Sequence, residues 1–416
     1  MGKHGRETVK RKARQHQQMS SFIRPTKRGW LLAVNSLLWY MVARGNQNLI
    51  TLILSWSSLA LIAIGFLMAF FSLRRIFLRR SIVAEAHVAQ LVNLPIVCIN
   101  PLWRKRQPFI ICESLPFADT PSLETLVADL ESRSSQTISR MVMPVKRGDY
   151  PLSEITIQGT DPVGLFIRTR AFQLLSSIVI YPPVFPIHDL ALPMPEVFSM
   201  SLAQESISAA GDSQDFYGVR EYHPSDGMKH IHWKSSAKYG RLMVREYERS
   251  AALSVCILID ACESDVTRKS QANFEFIVSM AASVCTCLRL QRCSLSYAAG
   301  GNAPVVLESR EISAAFSRVM YEIATIRAGE HCLDEAMEIL LPSISPHTVV
   351  FCFTLSESPH IRTVIDSLQM KGTDIRWYVA SPNAFLPPRE RRPSADNASS
   401  FPKYVTPDID TEHIFT

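Results

Sequence analysis

An uncharged run of 25 residues at positions 49–73 constrains the fold of this chain more than any other feature. As an α-helix it would extend about 37 Å, which is enough to cross the ~30 Å hydrocarbon layer of a bilayer with some tilt. A second uncharged run, residues 29–43, precedes it, and RGNQN at 44–48 favours a tight turn between the two. A cleavable signal peptide is disfavoured because the basic segment ahead of both runs is longer than a normal n-region. The sequence therefore predicts a transmembrane helical hairpin at residues 29–73.

Basic residues flank the predicted hairpin at both ends. Residues 1–28 contain nine Lys or Arg and one acid, and four Arg lie within residues 74–80, whereas the turn between the helices contains only Arg44. By the positive-inside rule, both ends of the hairpin face the cytoplasm. The nine cysteines lie mostly in apolar runs, which is typical of reduced core thiols and fits that compartment. We therefore expect a two-helix protein of the cytoplasmic (inner) membrane, with a basic cytoplasmic N-terminus at 1–28 and cytoplasmic soluble domains.

The net excess of positive charge in this chain is confined to residues 1–80, which contain the hairpin and its flanks. The net charge is +6 at pH 7, but residues 81–416 contain 30 basic and 37 acidic residues. A mildly acidic soluble part disfavours a polyanion as its ligand. The lipid bilayer is therefore an expected partner of this chain, and a nucleic acid is not.

The soluble part changes its periodicity along the chain. Residues 81–185 contain short apolar runs separated by turns such as RGDY at 147–150 and DPVGLF at 161–166, and they predict an all-β sandwich of about seven strands. Residues 251–382 alternate continuous apolar runs with helical stretches, which predicts a doubly wound α/β domain. Residues 383–416 are rich in Pro, Ser and charge, and they predict a disordered tail.

The linker between these domains, residues 186–250, contains an unusual segment at 211–248 in which charged and large aromatic residues are interleaved. Surface loops contain few large aromatics and cores contain few charges. The mixture therefore indicates polar groups held in a fixed geometry. Within it, Asp226 followed by residues 228–239 and Gly240 predicts a helix with an N-cap and a glycine C-cap.

Three histidines in this segment suggest a zinc site, and hence a metal-dependent hydrolase, as an alternative function. His230 and His232 are spaced for one face of a strand, but the segment favours a helix, in which residues two apart diverge. The zinc alternative depends on His223, Asp226, His230 and His232.

A second candidate metal site follows the first strand of the predicted α/β domain, where open α/β sheets bind ligands. DACES at 260–264 resembles the DxSxS element of von Willebrand factor A domains, whose oxygens ligate Mg²⁺, and would favour a Mg²⁺-dependent adhesion module. Asp260 and Ser264 match that element, but Cys262 replaces a serine, and a thiol is a poor ligand for Mg²⁺. The oxygens that could complete this degenerate site come from Thr354, Ser356 or Glu357.

The chain resembles the family called domain of unknown function 58 over about residues 25–382. RGDY at 147–150, DPVGLF at 161–166 and VIYP at 179–182 resemble two turns and a strand end of that family. Its charged–aromatic signature is matched at fixed spacing by Phe216, Gly218, Arg220, Tyr222, Asp226, Ile231, Trp233, Lys234, Ser236, Ala237, Lys238, Gly240, Leu242, Val244, Arg245 and Glu248.

Four positions depart from the family pattern. Ser225 stands where a glycine normally precedes the aspartate, and His230 replaces an arginine. His232 replaces the aspartate before the tryptophan, so any pairing made by that aspartate must be made differently here, for example by a neutral imidazole acceptor. Together with Cys262, these changes indicate a divergent member.

The resemblance implies partners rather than chemistry. Members of this family usually accompany MoxR-type AAA+ ATPases, and often a transglutaminase-like membrane protein, and have a von Willebrand A-like domain for partner contact. The resemblance therefore predicts a membrane-anchored, non-catalytic adaptor or scaffold without a cofactor, which acts in assembly or activation of a partner complex. Its signature residues would form a polar network that either clamps the two soluble domains together or contacts a partner. That predicted network consists of Arg220, Tyr222, Asp226, Trp233, Lys234, Arg245 and Glu248.

Overall fold

The computed structural model describes residues 20–46, 48–81, 85–187, 190, 192, 216–222, 231–247, 253–263, 266, 271–289, 291, 293–309, 312–386 and 402–407. The chain divides into two compact units, Met1–Pro183 (unit 1) and Val184–Thr416 (unit 2). The described residues form seven α-helices and five β-sheets, so the fold is mixed α/β. The helices are α1 (Lys27–Asn46), α2 (Leu49–Ser72), α3 (Trp233–Tyr239), α4 (Ala272–Leu288), α5 (Ile312–Thr325), α6 (Leu333–Leu340) and α7 (Pro359–Met370).

A long β-hairpin organises the sheets of unit 1. Its strands, β10 and β11, pair in antiparallel fashion on either side of the DPVGLF turn. They form the centre of a sheet of order β1-β11-β10-β6-β7, with β3 parallel to β11, while β2-β5-β8 and β4-β9 form two smaller sheets. The strands are β1 (Ser20–Pro25), β2 (Phe77–Arg80), β3 (Ala86–His87), β4 (Val92–Asn93), β5 (Ile96–Ile99), β6 (Phe109–Ser114), β7 (Ser122–Val127), β8 (Ser135–Ile138), β9 (Met141–Val142), β10 (Gly148–Thr160) and β11 (Phe166–Tyr181).

One core of unit 1 is shared by its two largest sheets. Ile111 and Ile155 of the six-stranded sheet belong to the same buried cluster as Leu78 and Ile96 of the three-stranded sheet. Alternate residues of a strand point to the same face, so each sheet contributes one apolar face. Burying each such side chain contributes about 1.5–3 kcal/mol. Two sheets of unit 1 therefore share one core, and the β-sandwich expected for residues 81–185 stays a prediction.

Strand β1 lies inside the segment that composition assigned to a basic tail. Ser20–Pro25 pairs in antiparallel fashion along β11, from Ser20 opposite Ala171 to Pro25 opposite Phe166. The strand has little buried side-chain surface. It is fixed by main-chain pairing to a sheet edge, which composition and periodicity do not reveal.

The helices α1 and α2 are joined by a reciprocal serine contact. Ser36 and Ser55 are buried, and the hydroxyl of each donates to the carbonyl of the other, at 3.2 and 3.1 Å. The helix α2 begins after Asn48, whose side-chain oxygen accepts the backbone N–H of Ile50 at 3.1 Å. Small polar residues of this kind allow membrane helices to approach closely.

Among the described residues one helix, α2, is long and apolar enough to cross a membrane. Of the two membrane-spanning helices expected at residues 29–73, this finding supports the second, and the two-span topology stays a prediction. The helix α1 is 20 residues long, but Lys27 and Arg28 lie in its first turn and Arg44 lies in its last. Its uncharged part, residues 29–43, is therefore shorter than the uncharged run at 49–73.

The DPVGLF turn anchors the start of α1. The buried Asp161 carboxylate accepts the backbone N–H of Phe166 at 2.7 Å, and Gly164 has φ +75°, where glycine is favoured. The Thr26 hydroxyl, directly before α1, donates to the Gly164 carbonyl at 2.7 Å. The Phe166 ring also meets Phe66 of α2 edge-on, with centroids 5.6 Å apart. The turn that the sequence predicts therefore also holds the helix pair within unit 1.

Unit 2 contains a two-stranded hairpin and a larger sheet. The larger sheet has the order β16-β15-β14-β17-β18-β19, in which only the β15–β16 pair is antiparallel. In order of appearance this is 3-2-1-4-5-6, a doubly wound order that reverses between β14 and β17. The strands are β12 (Phe216–Glu221), β13 (Met243–Tyr247), β14 (Leu253–Ile259), β15 (Cys293–Ala299), β16 (Val305–Ser309), β17 (Val349–Thr354), β18 (Asp374–Val379) and β19 (Lys403–Tyr404).

Helices cover the larger sheet of unit 2. Leu340 of α6 and Leu368 of α7 pack in one buried cluster with Cys352 and Trp377 of the sheet. The helix α4 is buried on almost every side, which explains why its sequence is apolar all round. The alternation of strands and helices predicted for residues 251–382 is present.

Two edge strands of this sheet differ from expectation. The strand β16 was not predicted from the sequence, and β19 lies within the segment 383–416 that was expected to be a disordered tail. Lys403–Tyr404 pairs in parallel with β18, and the next residue, Val405, is buried and donates its N–H to the Val379 carbonyl at 2.9 Å. Backbone pairing at the sheet edge orders this short piece despite its polar surroundings.

Candidate functional site

The described residues of the charged–aromatic segment at 211–248, namely 216–222 and 231–247, form a hairpin with a short helix between its strands. The strands β12 and β13 pair in antiparallel fashion, and Ile231 forms an isolated bridge with Val244 of β13. The backbone N–H of Tyr222 donates to the Leu242 carbonyl at 2.9 Å, and that of His232 donates to the Met243 carbonyl at 2.8 Å. These hydrogen bonds hold Tyr222 and His232, which precede α3, to Leu242 and Met243, which follow it.

The helix α3 begins at Trp233, and not at residue 228 as the capping pattern predicted. The cause is Ile231, which is buried and pairs with Val244, so the chain stays outside the helix until His232. The residue at the N-cap is His232, and the predicted cap Asp226 lies outside the described residues. Gly240 ends the helix with φ +67°, as predicted.

His232 takes the capping role through its imidazole. Its Nδ1 accepts the backbone N–H of Ser235 at 3.3 Å and lies 2.7 Å from the Ser235 hydroxyl. The Ser236 hydroxyl accepts the Met243 N–H at 2.8 Å and donates to the His232 carbonyl at 3.1 Å. His232 therefore accepts a hydrogen bond at the helix N-terminus, and Ser236 connects α3 to β13.

We expect His232→Asp to stabilise α3 by about 0.5–1 kcal/mol, because a carboxylate is a better N-cap acceptor and also interacts with the positive end of the helix dipole. His232→Ala removes the acceptor and is expected to destabilise α3. Hydrogen–deuterium exchange of the amides of residues 235–239 measures both effects. The order of protection should be Asp, then His, then Ala. Equal protection in the Ala and His proteins would contradict a capping role.

Exposed aromatic and basic side chains lie at both ends of α3. Trp233 is 67% exposed and Tyr239 is 54% exposed, while Lys234 is also exposed. The Lys238 ammonium lies 5.5 Å from the Tyr239 ring centroid, a cation–π contact. Together these four residues are called the α3 surface below. The sequence predicted Trp233 and Lys234 as members of a polar network and did not predict their exposure.

The remaining members of the predicted network are placed only in part. Asp226 and Glu248 lie outside the described residues. The hairpin register sets Arg220 opposite Val244 and Arg245 opposite Val219. An exposed ion pair in this segment, Arg241 to Glu221 at 3.2 Å, was not predicted, because it depends on the strand register. The polar network as a whole stays a prediction.

Of the four residues proposed to bind zinc, the structure describes only His232. His223, Asp226 and His230 lie outside the described residues, and His232 caps α3. The described part of the chain contains no group of three His, Cys, Asp or Glu side chains arranged to hold a metal ion.

Asp260 follows β14 at the point where the strand order reverses. It is 1% exposed, its N–H donates to the Phe353 carbonyl at 2.8 Å, and its Oδ1 accepts the N–H of Cys262 at 3.3 Å. This carboxylate therefore supports the backbone of the loop after β14. Ser264, the second matching residue of the degenerate metal site, lies outside the described residues.

The three oxygens suggested to complete that site lie after β17. The Thr354 hydroxyl is buried and accepts the indole N–H of Trp377 at 2.8 Å. Glu357 pairs with Arg362 at 2.5 Å and accepts the Tyr404 hydroxyl. Ser356 also has a partner. Thr354 and Glu357 are thus engaged within unit 2 by residues that sequence spacing does not indicate.

A backbone segment bridges the loops that follow β14 and β15. Gly329 donates its N–H to the Ala261 carbonyl at 3.0 Å and accepts that of Glu263 at 2.9 Å. His331 and Gly301 exchange N–H···O bonds of 2.7 and 3.1 Å. A side chain at Gly329 would place its Cβ 2.4 Å from the Gly301 carbonyl. The sheet edge where ligands bind in this architecture is therefore packed with main chain.

The thiols of Cys262 and Cys332 form a hydrogen bond at this edge of the sheet. The pKa of the Cys332 thiol is raised to about 12, mainly by burial and secondly by this hydrogen bond. Burial also raises the pKa of Cys352, and the charge of Asp260 adds to the effect. A metal-binding cysteine acts as a thiolate, so these pKa directions favour a structural role for Cys332 and Cys352.

Part of this chain matches a protein family to which no activity is assigned. Residues 218–340, which span the hairpin, α3 and the first part of the α/β sheet, match the family described as "Protein of unknown function DUF58". The chain is also similar to the "Uncharacterized protein YeaD" of Bacillus subtilis (strain 168), with 27% identity over 156 residues. That match covers 36% of this chain and 36% of the relative, so the chain spans about a third of the length of the curated relative it matches.

Proposed function

We propose that this chain is a membrane-anchored, non-catalytic adaptor that contacts a MoxR-type AAA+ ATPase through the α3 surface, in the assembly or activation of a partner complex. The observation that carries the proposal is the 67% exposure of Trp233 on a helix that is fixed at both ends. An exposed tryptophan leaves apolar area in water that a protein interface would bury.

The composition of the α3 surface supports a protein partner. Tryptophan and tyrosine are enriched among the residues that dominate binding free energy at interfaces. Lys234 and Lys238 add positive charge beside Trp233 and Tyr239. A complementary, acidic partner surface would accelerate such an encounter.

The surface is also preorganised. The Ser236 hydroxyl fixes α3 to Met243 of β13, and the His232 and Gly240 caps fix the two ends of the helix. A binding group that is already held in place loses less conformational freedom when the partner binds. This favours direct partner contact over the alternative in which the segment only clamps domains together.

The rest of the chain fits an adaptor. The doubly wound order with an antiparallel β16 at one edge is consistent with a von Willebrand A-like domain, which we propose for unit 2. We also propose that α1 and α2 form a two-span hairpin, with the Ser36–Ser55 contact between them and the basic flanks in the cytoplasm.

Copurification tests this proposal. The full-length chain is purified from solubilised membranes with and without ATP, and bound proteins are identified by mass spectrometry. An AAA+ ATPase, alone or with a transglutaminase-like membrane protein, is expected in the bound fraction. Trp233→Ala should weaken its binding about 30-fold or more, the effect of truncating a residue that dominates an interface.

The matched control is Trp103→Ala, because Trp103 in unit 1 is 81% exposed. It removes a tryptophan that is even more exposed than Trp233 from another surface, and it should leave ATPase recovery unchanged. The proposal is wrong if no AAA+ ATPase copurifies in either nucleotide state. It is also wrong if both substitutions reduce recovery equally.

A further inference from the structure

Four arginines of unit 1 gather at the C-terminal end of α2: Arg74, Arg106, Arg168 and Arg170, called here the arginine cluster. Arg106, Arg168 and Arg170 are 7–8% exposed, and Arg74 is exposed. Arginine is rarely buried without a partner. The role of so much positive charge at this place therefore requires an explanation.

Two members of the cluster cap α2. The Arg106 guanidinium donates to the Ser72 carbonyl at 2.9 Å and to the Phe71 carbonyl at 3.2 Å, and the Arg170 guanidinium donates to the Leu73 carbonyl. The last carbonyls of a helix lack N–H donors from a following turn, although that of Phe71 also accepts the Arg74 N–H at 3.4 Å. A helix C-terminus is equivalent to only about half a negative charge, however, so it offsets a small part of four positive charges.

The other two members have no carbonyl of α2 to satisfy. The Arg168 guanidinium lies 5.1 Å from the Phe70 ring centroid, and its Nε and Nη2 are each 3.4 Å from the Ser21 hydroxyl. Its buried Nη1 donates to no acceptor in the described part of the chain. Arg74 lies over the Phe71 ring at 5.6 Å. Both guanidiniums are held on aromatic rings with hydrogen-bonding capacity left over.

The charge of the cluster is uncompensated within the described residues. No ion pair there joins a carboxylate to any of the four arginines. Burial and the charge of Arg74 lower the pKa of Arg168. Burial and the charges of Arg168 and Arg106 lower the pKa of Arg170. The charge contributions to both pKa values come from neighbouring arginines, so the fold holds like charges together. An anion between these arginines would reduce their repulsion.

The cluster lies where lipid phosphates are expected. The helix α2 is apolar enough to cross a membrane, and Phe70 and Phe71 in its last turn are 42% and 47% exposed. The following Arg74 then marks the end of the apolar span. Arginine binds phosphate through paired N–H groups, and basic pockets at the cytoplasmic end of membrane helices bind anionic headgroups.

We propose that the arginine cluster binds the phosphate of an anionic phospholipid headgroup, which Arg74 and Arg168 contact while Arg106 and Arg170 hold the end of α2. The bound lipid would fix the depth of α2 and its orientation relative to the sheets of unit 1. This inference is independent of the ATPase partner, because it uses only residues of unit 1.

Native mass spectrometry of the full-length chain in a neutral detergent tests this site. Dioleoylphosphatidylglycerol, dioleoylphosphatidylcholine and inorganic phosphate are titrated in separate arms. The anionic lipid is expected to bind in a one-to-one complex, and the zwitterionic lipid is not. Arg74→Gln with Arg168→Gln should weaken binding roughly tenfold or more, because each charge-assisted hydrogen bond contributes substantially. Arg168→Gln alone should give a smaller loss and leaves every cap of α2 in place.

Arg79→Gln is the matched control, since Arg79 is an exposed arginine of β2 near the same end of α2. It should change lipid binding by less than about twofold, the effect of screened surface charge. Equal loss with Arg79→Gln would reduce the site to general surface charge and overturn the proposal. Inorganic phosphate that binds as tightly and displaces the lipid would assign the site to free phosphate. Absence of one-to-one lipid binding in the unaltered protein would leave only the capping role.

Discussion

Glu113→Gln is expected to destabilise unit 1 by about 3–5 kcal/mol, because it leaves the buried Arg140 and the partly buried Arg80 without this counter-charge. The Glu113 side chain is 2% exposed and pairs with Arg140 at 2.6 Å and with Arg80. Burial lowers the pKa of Arg80, and the Glu113 charge opposes that effect. Removing this carboxylate therefore takes away a negative charge that both arginines contact.

Urea unfolding of the full-length chain in detergent measures this effect, with hydrogen–deuterium exchange of β6 and β10 as a local readout of unit 1. The matched control is Glu131→Gln, since Glu131 pairs with Lys105 at 3.2 Å but is exposed. Exposed ion pairs contribute little to stability, so Glu131→Gln should leave the urea concentration at the unfolding midpoint unchanged. A Glu113→Gln protein as stable as the control would contradict a structural role for the ion pairs of Glu113 with Arg80 and Arg140.

Gly329→Ala is expected to destabilise unit 2 by about 3 kcal/mol or more, because the backbone around it has no space for a methyl group. The new Cβ would lie 2.4 Å from the carbonyl carbon and oxygen of Gly301 and 2.6 Å from the Asn302 nitrogen. Relief of this contact requires the segment to leave the loops after β14 and β15. The hydrogen bonds of Gly329 to Ala261 and Glu263 would then be lost.

Gly372→Ala provides the comparison within the same unit. Gly372 has φ +77°, and nothing lies within 4 Å of its ideal Cβ, so this substitution costs only about 1–2 kcal/mol of backbone strain. Hydrogen–deuterium exchange should show opening of residues 261–263 and 329–331 in Gly329→Ala alone. If the two substitutions have equal effects, the sheet edge is looser than the contacts indicate, and a ligand could enter there.

Much of the α/β sheet could be predicted because its central strands are buried on both faces. The strand β14 reads as a continuous apolar run that ends at Asp260, and the helices around it have a helical period. The edge strands were missed for the complementary reason. Val305–Ser309 and Lys403–Tyr404 pair on one side only and bury little, so they lack a strong pattern.

The candidate site could be located from the sequence, but its arrangement could not be derived. The density of charged and aromatic residues at 211–248 marked the segment, and Gly240 marked the helix end. The start of the helix depended on the bridge between Ile231 and Val244, which are 13 positions apart. A tertiary contact of this kind overrides a local capping signal.

The sequence by itself determined the apolar span, its basic flanks, the division into β-rich and α/β parts, and the family resemblance. These follow from composition and period, which are local properties of the chain. Only the tertiary structure decided that Trp233 is exposed, that main chain packs the sheet edge beside Asp260, and that four arginines meet at the end of α2. Exposure, close packing and charge accumulation depend on which residues, distant in the sequence, the fold brings together. Arg74 and Arg170 illustrate this, because 96 positions separate them in the sequence, yet both lie at the same helix end.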